Sequence, residues 1–121
     1  MKGIALALIL ISPLSFADWG DVYYCQMTTF SETSFEGKRT DYVLQKFQFK
    51  LDKTKNAMVF GKSGYFEGSV MELREEFDYP SVETWLAEST NDILFFREGM
   101  FLYSILFDRA IASITANCDK F

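Results

Sequence analysis

The chain has no histidine, only two cysteines and only two prolines. Each scarcity removes a class of function. Without imidazole, every Ser-His or Cys-His nucleophile system is excluded, as is a His-ligated metal. Cys25 and Cys118 are too far apart for a CxxC motif, so a thiolate zinc shell or an activated redox thiol lacks its parts. Basic charge is also short: 12 Lys and Arg stand against 17 Asp and Glu, a net charge of −5. Nucleic acid would need a concentrated basic patch. The nearest stretch, "KLDKTKN", surrounds a turn with Lys50, Lys53 and Lys55 and is interrupted by Asp52, which reads as solvated hairpin charge. There is no Asn-x-Ser/Thr sequon, a composition compatible with a bacterial source.

Long apolar runs are missing too. The longest, Ile4 to Ile11, falls far short of the roughly 20 residues of a spanning helix. It follows Lys2 and precedes Pro13 and the small residues Ser15 and Ala17, the layout of a secretory signal cleaved after Ala17. Residues 1–17 are therefore read as a signal peptide, and residues 18–121 as a single domain. No membrane association is expected after cleavage, and the expected location is secreted or periplasmic. Disulfides persist there, and two cysteines allow one pairing, Cys25 with Cys118. Such a bridge is worth roughly 2 to 4 kcal/mol and would tie the first strand to the last.

What the sequence does have is period-two alternation. "KFQFKLD" sets Phe47, Phe49 and Leu51 against Lys46, Gln48 and Lys50, "KTKN" supplies a turn, and "AMVFG" returns. "DILFFREGMFLYSILFD" forms a second hairpin around Glu98-Gly99, where glycine takes the positive φ of a tight tip. Its second arm has no wholly polar face: Phe101, Tyr103, Ile105 and Phe107 alternate with Met100, Leu102, Ser104 and Leu106. That places it in a covered sheet or an oligomer contact. In "RAIASITANC" and "VYYCQM" both cysteines fall on faces that can be interior. "GSVMELREEF" reads as strand. In "DYPSVETWLAEST", Ser81 can cap a helix, but alternation of Val82, Thr84 and Leu86 favours strand. "FGKSGYFEGS" lacks phosphate-loop spacing and is read as a glycine-rich strand corner.

About eight strands with short connections predict an all-β fold, a small antiparallel up-and-down barrel closed by one disulfide, with a flattened β-sandwich as the alternative. Aromatic residues are abundant, with 13 Phe, 6 Tyr and 2 Trp. They either form a dense core or line a cavity for a small apolar molecule, with Tyr23, Phe49, Tyr65, Phe66 and Tyr103 as the candidate lining. Glu72, Glu75, Glu76 and Asp78 are the one carboxylate group, and with Arg74 among them they read as a solvated stripe rather than an acid–base pair. No catalytic residue, metal ligand or cofactor is predicted, and the protein is read as not an enzyme.

"VYYCQM", "KFQFKLDKTKNAMVFGKSGYF" and "ASITANCDKF" together resemble a group of short exported proteins of marine bacteria and their viruses with no assigned activity. The resemblance covers most of the chain after the leader and carries over no functional residue. A weaker similarity to lipocalin-type carriers implies the closed β architecture. It lacks their Gly-x-Trp signature, because "DWGDVYY" places Trp19 before Gly20. Two functions follow as expectations. One is a non-enzymatic binding module for a small apolar ligand; the other is an interaction protein with a solid core, meeting another protein subunit through Met100 to Phe107.

Overall fold

The computed structural model describes residues 17–74 and 84–121. The leader up to Phe16, the acids Glu75, Glu76 and Asp78, and the first part of "DYPSVETW" lie outside the described residues. Nine strands are present among those described: β1 (Val22–Ser34), β2 (Arg39–Asp41), β3 (Lys46–Asp52), β4 (Ala57–Phe60), β5 (Val70–Glu72), β6 (Trp85–Glu88), β7 (Asp92–Arg97), β8 (Met100–Phe107) and β9 (Ala110–Lys120). They form one sheet in the order β5-β4-β3-β1-β9-β8-β7-β6, in which neighbouring strands are antiparallel. The two ends of that sheet meet at a bridge between Leu73 and Ala87 and at the Arg74 N–H, which donates to the Leu86 carbonyl at 2.8 Å. The result is a nearly closed eight-stranded up-and-down barrel rather than a sandwich of two sheets. β2 is a ninth, short strand outside the ring, paired with the far half of β1.

The alternation in β3 is realised as read: Phe47, Phe49 and Leu51 are buried while Lys46 and Lys50 are exposed. The turn at residues 53–56 closes with Asn56 at φ 51°, and the Asp52 carboxylate accepts the Lys55 N–H at 3.1 Å. The tip between β7 and β8 has positive φ at both Glu98 and Gly99, which matches the right-handed twist of the arms it joins.

β1 carries Tyr23, Cys25 and Met27 inward. Its register against β9 then shifts between Met27 and Thr29. This bulge adds one residue to β1, so Phe30 again lies opposite the buried Ile114. Thr28 and Thr29 both reach the Thr115 hydroxyl, at 2.7 and 2.6 Å.

Phe49, Phe96 and Phe101 are essentially inaccessible to solvent, and their rings lie 5.1 Å (Phe49 to Phe96) and 6.0 Å (Phe49 to Phe101) apart. Each buried ring of this kind contributes about 1.5 to 3 kcal/mol relative to exposure. The loop between β4 and β5 is the predicted strand corner. Gly64 and Gly68 have positive φ, and a side chain at Gly64 would meet the Lys46 carbonyl oxygen at 2.6 Å. The corner folds Phe66 into one end of the barrel against Phe47, Phe60 and Phe101. At the opposite end, where the Gly20 N–H donates to the Leu51 carbonyl, Trp19 packs edge-on to Trp85 at 5.0 Å.

One phase differs from expectation. The segment 85–88 is a strand, but the residues lining the core are Trp85 and Ala87, whereas Leu86 is buried without joining that cluster. Pairing explains this: Trp85 lies opposite Phe96 and Ala87 opposite Leu94, so the inward residues of β7 set the phase.

Candidate functional site

The two cysteines sit directly opposite one another on β1 and β9, with Cα atoms 4.0 Å apart, and are joined. No free cysteine remains. The bridge is compatible with an oxidising compartment.

Four of the five predicted ligand-lining residues converge inside the barrel. Tyr23 stacks on Phe49 at 5.4 Å, and Phe66 meets Tyr103 edge-on at 4.9 Å. Their faces are taken by one another and by Phe47, Phe60, Phe96 and Phe101, so these rings occupy the lumen they were expected to line. Tyr65 is not with them. It points outward, is partly exposed, and rests against Phe30 and the edge of Phe66.

The Tyr103 hydroxyl donates to Asp92 Oδ2 at 2.8 Å, and the Ser89 hydroxyl donates to the other oxygen of that carboxylate. Burial, reinforced by the adjacent Asp92 carboxylate, holds the Tyr103 phenol well above the ordinary value of 10.0. This network also fastens the turn into β7, where the Ser89 N–H donates to the Asp92 carbonyl. On the outer surface, the hydrogen bond from Tyr42 to Glu32 raises the Tyr42 phenol, and the bond from Arg109 lowers the Glu36 carboxyl.

Beside Asp92, β5 and β6 diverge into a cleft of about 580 Å³ lined by Ser69, Val70, Glu72, Glu88 and Ser89 among others. Glu88 is bound by Arg74 at 2.8 Å, and both are largely exposed. Among the described residues no group of three His, Cys, Asp or Glu side chains is placed to hold a metal ion. The turn lysines Lys53 and Lys55 are exposed at the tip of the β3–β4 hairpin.

The outer face of β7, β8 and β9 is of another kind. Cross-strand register sorts it into rows. One row is Phe95, Leu102, Thr115 and Thr29; the next is Ile93, Ser104, Ser113 and Ser31; a third joins Leu106, Ile111 and Thr33. Ile93, Leu102, Leu106 and Ile111 are each between 42% and 57% exposed. The serines, with Ser104 and Ser113 hydroxyls 3.3 Å apart, form a low floor between taller neighbours. A groove of about 330 Å³ lies there, bounded by Ile93, Phe95 and Leu102. The sequence announced the missing polar face of β8. It did not announce the serine floor, because that needs the alignment of β8 with β9 and β1.

Searches against protein-family models, curated proteins and solved structures return no match for this chain.

Proposed function

We propose that the protein is an exported, non-enzymatic interaction module that docks another protein surface on the outer face of β7, β8 and β9. The observation that carries this reading is the pair of apolar rows, Phe95–Leu102 and Leu106–Ile111, on either side of a serine floor, with Leu102, Leu106 and Ile111 exposed and Phe95 half-buried. Exposed apolar side chains aligned on one sheet face mark contact surfaces. The interaction reading is favoured over a lumen carrier because the interior rings already satisfy one another, and a ligand there would have to displace Phe49, Phe96 or Phe101. Export rests on the leader-like residues 1–17 and agrees with the bridge between Cys25 and Cys118. The likeness to short exported proteins of marine bacteria and their viruses belongs to the same reading.

The test is radical footprinting of the protein in the exported fraction of its own source, compared with the purified chain at high dilution. Docking predicts that Leu102, Leu106 and Ile111 are labelled several-fold less in the source fraction, with Val43 unchanged as an exposed reference. Equal labelling at all positions overturns the docking face. A monomer carrying an extra mass of a few hundred daltons in native mass spectrometry would return the function to the lumen.

A further inference from the structure

We infer that removal of the leader after Ala17 completes a clamp on the barrel: the new α-ammonium group of Asp18 binds the Asp21 carboxylate, which also holds Lys120 at the end of the last strand. This rests on the export reading above and names what cleavage does to the fold.

The geometry is in place before the charge appears. Residues 18–21 form a turn in which the Asp21 N–H donates to the Asp18 carbonyl at 3.1 Å, and Gly20 takes a φ of 94°, the left-handed region that favours glycine. In return, the Asp18 nitrogen donates to Asp21 Oδ2 at 2.8 Å. The same oxygen lies 3.1 Å from Lys120 Nζ. Hydrolysis of the peptide bond between Ala17 and Asp18 breaks the C–N bond, leaves the acyl carbon as the carboxylate of Ala17, and lets the Asp18 nitrogen take up protons. A neutral amide donor facing a carboxylate becomes a cation facing it. Charge-assisted bonds of that kind are about twice as strong as neutral ones.

Asp21 is held ready to receive it. Its main chain is fixed by β3: the Leu51 N–H donates to the Asp21 carbonyl at 3.0 Å, and the Gly20 N–H donates to the Leu51 carbonyl at 2.7 Å. Among the ion pairs of the described residues, Lys120 with Asp21 is the most shielded, its side chains 32% and 23% exposed against 41% or more in the others. Salt screens such a pair less than one fully in solvent. The turn also lays Trp19 against Trp85, so fixing it holds an aromatic lid on this end of the barrel.

The new cation therefore joins the turn, β3 and β9 through one side chain. The other charged groups on these elements are the Asp18 carboxylate, which accepts the Trp19 N–H at 2.7 Å, Lys50 and Asp52 on either side of Leu51, and Asp119 before Lys120. An α-amino group that gains a carboxylate partner titrates above its unfolded value of about 7.7 to 8.0. The added stability is complete below that range and is lost as pH rises through the folded value.

The test is trace acetylation of the exported protein across neutral to alkaline pH, folded and in urea, with the N-terminal peptide identified and quantified by mass spectrometry. The α-amine of Asp18 should titrate higher in the folded protein by about 0.5, equivalent to about threefold in the ratio of folded to unfolded chains. Asp21→Asn should remove the difference. Lys120→Gln, which takes the competing cation from Asp21, should enlarge it, and it serves as the second variant if near-UV circular dichroism shows Asp21→Asn unfolded.

A chain that begins at Asp18 and titrates alike in both states overturns the clamp and leaves export standing. A first residue other than Asp18 overturns the cleavage position and the clamp with it. A difference that survives Asp21→Asn in a folded protein, or that shrinks with Lys120→Gln, overturns Asp21 as the partner.

Discussion

Tyr103 joins two environments: its ring is packed against Phe66 in the core, and its hydroxyl donates to Asp92 beside the β5–β6 cleft. Its phenol titrates above the unfolded value, so the neutral form is favoured by folding. The contribution is therefore complete below about pH 10 and is lost as pH climbs past that value. In an ultraviolet titration the Tyr103 phenol should ionise above the ordinary tyrosine value. Tyr103→Phe should remove that alkaline step, flatten the alkaline fall in stability, and cost about 1 to 2 kcal/mol at neutral pH through the lost bond to a carboxylate. Gly64 is constrained in the opposite sense, by what it lacks: its positive φ and the nearby Lys46 carbonyl leave no room for a Cβ.

Among the elements, the β4–β5 corner has the clearest energetic role. It delivers Phe66 into the barrel end, where the ring touches Phe47, Phe60, Phe101 and Tyr103. Phe66→Ala should open a cavity there and lower the unfolding free energy by about 3 to 5 kcal/mol, measured by urea denaturation. The hairpins at residues 53–56 and 98–99 were legible from the chain because alternation and turn chemistry act within a few residues. The pairing of Cys25 with Cys118 was legible by count.

Other elements were not legible, for physical reasons. β2 is three exposed residues whose strand character comes only from pairing with β1. The phase of β6 is dictated by β7 across the sheet, and the bulge at Thr28 by the need to keep Phe30 inward beside Ile114. For the candidate site, the aromatic residues were identified but their arrangement was not. Whether rings line a space or fill it depends on three-dimensional packing, and Tyr65 turns outward although it adjoins Phe66 in the chain.

At the scale of the whole molecule, the barrel wall is unequal around its circumference. β1 and β9 are paired in two long stretches of register broken only by the bulge, whereas among the described residues β5 and β6 are joined by the Leu73–Ala87 bridge and the hydrogen bond from the Arg74 N–H to the Leu86 carbonyl. Local opening should start at the weaker junction. In amide hydrogen exchange, the Arg74 N–H bonded to Leu86 should exchange at least about tenfold faster than the backbone N–H groups in the middle of the β1–β9 register. Equal protection at the two sites would show that the barrel opens only as a unit.

The position of the bridge has a mechanical consequence. Cys25 and Cys118 are 93 positions apart along the chain but are direct cross-strand partners. A tension applied from outside these two residues crosses a single covalent link, and the barrel strands between them carry no load. The fold is shielded from pulling for as long as the link is oxidised. Once it is reduced, the same tension acts on the antiparallel seam of β1 and β9 from one end and separates it one hydrogen-bonded pair at a time.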